Sequence, residues 1–185
     1  MRDRRFVAIH RGGPLDRESH LFLARWAADC AERVLPLFAR CSEDGRPQRA
    51  LETGRAWASG EVPTGSAMKA SVAAHAAARA VRDKAAEAAA RAAGQAVATA
   101  HCADHSVGAL LYALKALEIS GSDADPELDL QLAKLPPGLR EMVAFGVNIR
   151  LKAFGLGRAG KSTADEPFST RRAGRSPRAS KPLPD

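Results

Sequence analysis

Aromatic residues are scarce: Phe, Trp and Tyr together make up 5% of the 185 residues, with a single tyrosine. Runs of Val, Ile, Thr and aromatics, which favour strands, are few, and this argues against a sheet-based fold. Cys30, Cys41 and Cys102 are an odd, scattered set without CxxC or other zinc spacing. They suit reduced thiols better than a disulfide framework. No segment approaches the roughly 18 apolar residues that a membrane span needs. The basic start, MRDRRFVAIHRGG, lacks the apolar core of a signal peptide. The expected compartment is therefore the cytoplasm, with no membrane partner. A nucleophile elbow, a glycine-rich phosphate loop and a Ser-His-Asp order are also missing, so the reading leans away from an enzyme.

What is abundant is alanine, within an apolar fraction of 45% and a charged fraction of 26%. Alanine has the highest helix propensity, and its small side chain lets helices pack closely. The expected fold class is all-α, a compact multi-helix bundle with enough chain to bury a real core. The formal charge is +7, but residues 155–185 hold seven Lys/Arg against three Asp/Glu, which leaves the preceding 154 residues at only +3. A near-neutral body with a basic end argues against nucleic acid as a partner, because a binder concentrates its charge on one face.

The stretch 94–119, GQAVATAHCADHSVGALLYALKALEI, has the longest helical pattern. It is expected to be the centre of the bundle. Val107, Leu110, Leu111, Leu114 and Leu117 share one side at about 100° per residue, a core stripe. Gly94, Val97, His101, Gly108 and Tyr112 share a second side, flanked by Asp104 and His105, where another helix can approach over the glycines. The alanine-rich run from Lys84 leads into this stretch, giving one long Ala-rich central helix or two with a kink.

Around it, the apolar patch 5–9 and the breaker Gly12-Gly13-Pro14 predict an extended N-terminal arm lying on the bundle, compatible with a lone strand contact. Residues 15–40 read as a helix capped by Asp16, with Leu23, Trp26, Ala27, Cys30, Val34, Leu37 and Phe38 inward and a kink or break at Pro36. Asp29 and Arg33 form an i, i+4 pair worth about 0.2 to 0.5 kcal/mol. A helix over 47–59 stops at Gly60, its arginines Arg46, Arg49 and Arg55 in water. Thr64 caps a helix to residue 81 along which Met68, Val72, His75 and Arg79 repeat, and Asp83 caps the next turn. Shorter helices follow over 127–135 and 139–154. From residue 155 the composition turns to Gly, Ser, Pro and Arg, predicting a disordered basic C-terminal tail. The domains are thus 1–154 and 155–185.

His101-x-x-x-His105 has the one-turn spacing at which a helix presents two metal ligands, and Asp104 adds a carboxylate. Cys102 stands where a zinc peptidase needs its general-base Glu, so the HExxH motif is not met. A metal site, for a divalent ion such as zinc, would take His75 as third ligand and Asp29 or Cys30 as fourth. The reading with fewer assumptions needs no cofactor: His75, His101, Asp104 and His105 form a hydrogen-bonded polar seam that fixes helix register. Trp26 and Trp57 read as core anchors, or alternatively as partner-binding residues.

Four segments, RRFVAIHRGGPL, LFLARWAADCAERVLPLF, KASVAAHAAARA and AGQAVATAHCADHSVGALLYALKAL, together resemble the immunity proteins of bacterial polymorphic toxin systems, specifically the helical family described as immunity-protein-five-like. The resemblance spans residues 3–150 in order. It departs at Cys102, where the family has an apolar residue, often Met. It implies a cytoplasmic protein that neutralises a cognate toxin by binding its catalytic domain. It transfers no residue of a toxin-binding face, nor any oligomeric state.

Overall fold

The computed structural model describes residues 3–156. Eight α-helices carry the fold: α1 (Arg17–Glu32), α2 (Leu35–Ala39), α3 (Arg46–Ala58), α4 (Thr64–Ala80), α5 (Lys84–Ala98), α6 (His105–Ile119), α7 (Asp125–Ala133) and α8 (Pro137–Asn148). Single 3-10 turns lie at Arg4–Phe6, Ile9–Arg11 and Lys152–Phe154. Among the described residues no strand forms; the one β contact is an isolated parallel bridge between Ala8 and Leu15. The all-α bundle is as the composition requires.

At its centre stands α5, which touches α1, α2, α3, α4 and α6. Eleven of its fifteen residues are buried, and all of them are alanine except Gly94 and Val97. A helix with five neighbours has almost no face left for water, and only small side chains permit so many close axes. The exceptions Lys84, Glu87, Arg91 and Gln95 recur every three or four residues as one polar stripe. Glu87 pairs there with Lys84 at 2.9 Å and Arg91 at 2.8 Å.

Of the two forms expected for the Ala-rich run and the stretch after it, one long helix or two, the chain forms two, α5 and α6, and they part after Ala98 rather than at Gly94. After Ala98 the chain tightens, with His101 N–H donating to the Ala98 carbonyl and His105 N–H to the Cys102 carbonyl, and α6 starts afresh at His105. No glycine or proline marks the break. Thr, His, Cys and Asp between residues 99 and 105 are weak helix formers, and short polar side chains offer the backbone other partners. Ser106 Oγ donates to the Ala103 carbonyl at 2.7 Å in a fully buried position. The leucine stripe of α6 is as expected, with Val107, Leu110, Leu111 and Leu114 at 2% exposure or less.

Other expectations shift in detail. The first helix breaks at Arg33–Val34 rather than at Pro36, because Pro36 is tolerated in the first turn of α2 but not deep inside α1. Both cap assignments hold: Asp16 accepts from Ser19 N–H at 2.8 Å and Asp83 from Ala86 N–H at 2.7 Å. Thr64 does not cap α4; its hydroxyl accepts from Trp57 Nε1 at 3.1 Å. On α4 the buried residues are Ala67, Ser71, Ala74, Ala77 and Ala78, while Val72 is 64% exposed. Close packing selects the alanine side and turns Val72 outward.

The N-terminal arm is coiled in two 3-10 turns rather than extended, and Phe6 enters the core. Gly13 makes this possible, since a methyl there would overlap the Val7 carbonyl at 1.9 Å. At the other end Leu156 is buried, so packing continues past residue 154. The expected tail lies, from residue 157 onward, outside the described residues. No described helix is long and apolar enough to cross a membrane.

Candidate functional site

The histidines on the bundle's inner surfaces occupy three linked places. His75 of α4 lies flat over Gly94 of α5, where a methyl would stand 2.7 Å from its Cε1. Beside it Ser71 Oγ donates to the Gly94 carbonyl at 2.9 Å. Glycine at 94 therefore sets the α4–α5 approach that the glycine-bearing face predicts. His75 Nδ1 is buried without a hydrogen-bond partner. Burial, and then the charges of Arg91 and Arg79, push the imidazole below its ordinary range, so it stays neutral.

At the next residue of α5, Gln95 lies over Gly108 of α6, and its Oε1 accepts from His105 Nδ1 at 2.6 Å. The His101 and His105 rings meet at 4.8 Å between centroids, tilted by 42°. Their contact survives the helix break because His101 sits in the connection and His105 begins α6. Asp104 turns to another partner: Arg150 Nη2 donates to both of its carboxylate oxygens at 2.7 and 2.9 Å. That pair ties the α5–α6 connection to the chain after α8. Among the described residues no group of three or more His, Cys, Asp or Glu side chains is placed to hold a metal ion.

A further histidine, His20 of α1, completes the set. Its Nε2 donates to the Thr99 carbonyl at 2.7 Å, satisfying a backbone group left open where α5 ends. Its ring packs 5.3 Å from that of Trp57. Burial, followed by the positive surroundings of His10, Arg11 and His101, pushes His20 down, against the Thr99 hydrogen bond that pulls it up. The sequence signal for His20 exists, since 20, 23, 27, 30 and 34 continue one helical stripe. Gln95 left no comparable mark, as its role depends on the break after Ala98.

Of these side chains His20, Trp57 and His101 border a cavity of about 530 Å³ between the N-terminal turns, the start of α1, the α3–α4 loop and the α5–α6 connection. His10, Arg11, Arg17, His20, Trp57 and His101 line it, together with Leu15, Val62 and Ala100. Trp57 is thus a half-buried wall of a cavity. Trp26 is a true core anchor, 3% exposed, with Nε1 donating to the Gln131 carbonyl at 3.0 Å.

No curated protein and no solved structure matches the chain. A family described as "Imm-5 like putative immunity protein" matches residues 13–137, the span that builds α1 through α7 and supplies His20, Trp57, His75, His101 and His105. With two thirds of its length inside that match, the chain belongs to the Imm-5-like immunity protein family.

Proposed function

We propose that this protein neutralises a cognate bacterial protein toxin in the cytoplasm by stoichiometric, non-catalytic binding. The observation that carries the reading is family membership across residues 13–137, which hold α1 to α7. The side chains most suited to chemistry support it through the work they already do: His20, His105 and Asp104 each hold two elements together through a hydrogen bond or ion pair. A bundle braced in this way presents a preformed surface and loses little freedom on binding. Several arginines on that surface, Arg40, Arg49 and Arg79 among them, are exposed and suited to the contact.

The test is co-expression with the toxin encoded beside the gene. The expected result is relief of growth arrest and a complex on size exclusion, with toxin activity falling in proportion to added protein until the two are equimolar. Arrest unrelieved and no complex would overturn the pairing. Abolition of toxin activity by a small fraction of an equivalent would overturn the non-catalytic mode.

A further inference from the structure

The cavity beside His20 has a charge pattern that the packing of the bundle does not call for. Two of its lining side chains, Arg11 and Arg17, are guanidinium cations, His10, His20 and His101 add three imidazoles, and among the described residues no carboxylate lines it. Some arginines of the bundle meet acids, as Arg33 meets Glu127, Arg55 Asp29 and Glu32, Arg91 Glu87, and Arg150 Asp104, and others, such as Arg25 and Arg140, meet backbone carbonyls. Among the described residues neither Arg11 nor Arg17 is in an ion pair. A concave, low-dielectric wall concentrates such a one-sign field and draws anions.

Shape adds to charge. The volume, about 530 Å³, falls in the range of roughly 300 to 1,000 Å³ typical of small-molecule sites. His10, Arg11 and Arg17 are exposed and form the mouth, whereas Leu15, His20 and Ala100 are buried and form the deep end. Trp57 is held in place by its hydrogen bond to Thr64 and by the His20 ring, so an aromatic wall is already set. Small-molecule sites combine this preformed apolar body with a few converging polar groups.

We propose that this cavity binds a small organic anion, its carboxylate or phosphate held among His10, Arg11 and Arg17 at the mouth and its apolar body lying against Trp57 and Leu15. The proposal does not depend on the immunity reading. Both arginines offer planar, bidentate donors to such a group.

Calorimetric titration of the full chain with 2-naphthoate, its neutral analogue 2-naphthamide and a blocked glutamate (N-acetyl, C-amide) tests it. The expected result is one naphthoate site per chain with a Kd of about 1 mM or tighter, and about tenfold weaker binding of the amide. The Arg11→Gln/Arg17→Gln variant, altered only at exposed positions, is expected to keep the wild-type melting temperature and to lose the preference for naphthoate. Equal binding of acid and amide, no saturable naphthoate binding, or a variant that keeps the preference would overturn the proposal. Blocked glutamate binding more tightly than naphthoate would also overturn it, placing an acidic side chain of a protein partner in the cavity.

Discussion

A methyl group at position 94 meets two opposed effects. Alanine gains about 1 kcal/mol over glycine inside a helix, yet here its Cβ would stand 2.7 Å from His75 Cε1 and 2.9 Å from each ring nitrogen. Overpacking of this kind costs about 1 to 3 kcal/mol, and the neighbour is a ring wedged between two helices, so the steric loss wins. Gly94→Ala is expected to lower unfolding free energy by up to about 2 kcal/mol. Adding His75→Ala should give back part of that loss, and a urea-denaturation double-mutant cycle with no coupling would refute the contact. His75 also predicts a pH effect. Its folded imidazole lies below the ordinary value of 6.5, so the unfolded chain takes up the proton first as pH falls. The stability it confers is fully present above about pH 6.5 and is lost as pH drops through the folded value. Melting temperature measured from pH 8 to 5 should therefore decline below 6.5, and His75→Gln should decline less; His20, shifted the same way, supplies the remainder.

Element boundaries show which parts of this fold were readable in the sequence. Caps at Asp16 and Asp83 and the leucine stripe of α6 were legible because each depends on residues within one or two turns. The face of α4 was not, since alanine gives no hydrophobic contrast and the choice of side belongs to its neighbours α3 and α5. The pairing of charges was misread for the same reason. Asp29 was expected to pair with Arg33 along α1, but Arg55 of α3 takes Asp29 at 2.7 Å and Glu32 at 2.8 Å, and Arg33 reaches Glu127 at 3.1 Å. Arg55, expected in water, is thereby a link between helices. Of the four site residues, the approach of His75 over Gly94 followed from the glycine-bearing face, whereas the partners of His105 and Asp104 required the helix break that weak helix formers produce. That break gives a prediction at its own scale. Asp104 and Arg150 are 18% and 25% exposed in their side chains, enough burial for charge-assisted bonds to count. Asp104→Asn is expected to cost about 1 to 3 kcal/mol and to loosen both the 99–104 connection and the chain after α8 in hydrogen exchange. Exchange raised at only one of those places would mean that the pair is not what joins them.

Across the whole molecule, packing is uneven. Helices α1, α2, α3, α4 and α6 enclose α5, whereas α7 and α8 lie against α6 and each other. What fastens α7 to α1 is a short polar chain: Glu127, 8% exposed, accepts from Arg33 and from Gln131 Nε2 at 2.6 Å, and the Gln131 carbonyl accepts from Trp26 Nε1. Arg140 of α8 donates to the carbonyls of Leu132, Ala133 and Leu135, closing the other end of α7. Segments held by few apolar contacts open below the global unfolding free energy. Native-state hydrogen exchange is therefore expected to place α5 amides at the global limit and α7 amides beneath it. Glu127→Ala leaves Gln131 Nε2 buried without its acceptor, a loss of about 1 to 3 kcal/mol. That loss should fall on α7 and leave α5 exchange nearly unchanged at low denaturant. If α5 and α7 instead accelerate together, the bundle opens as one cooperative unit, and the polar chain from Arg33 to Trp26 fastens the whole fold rather than its outer layer.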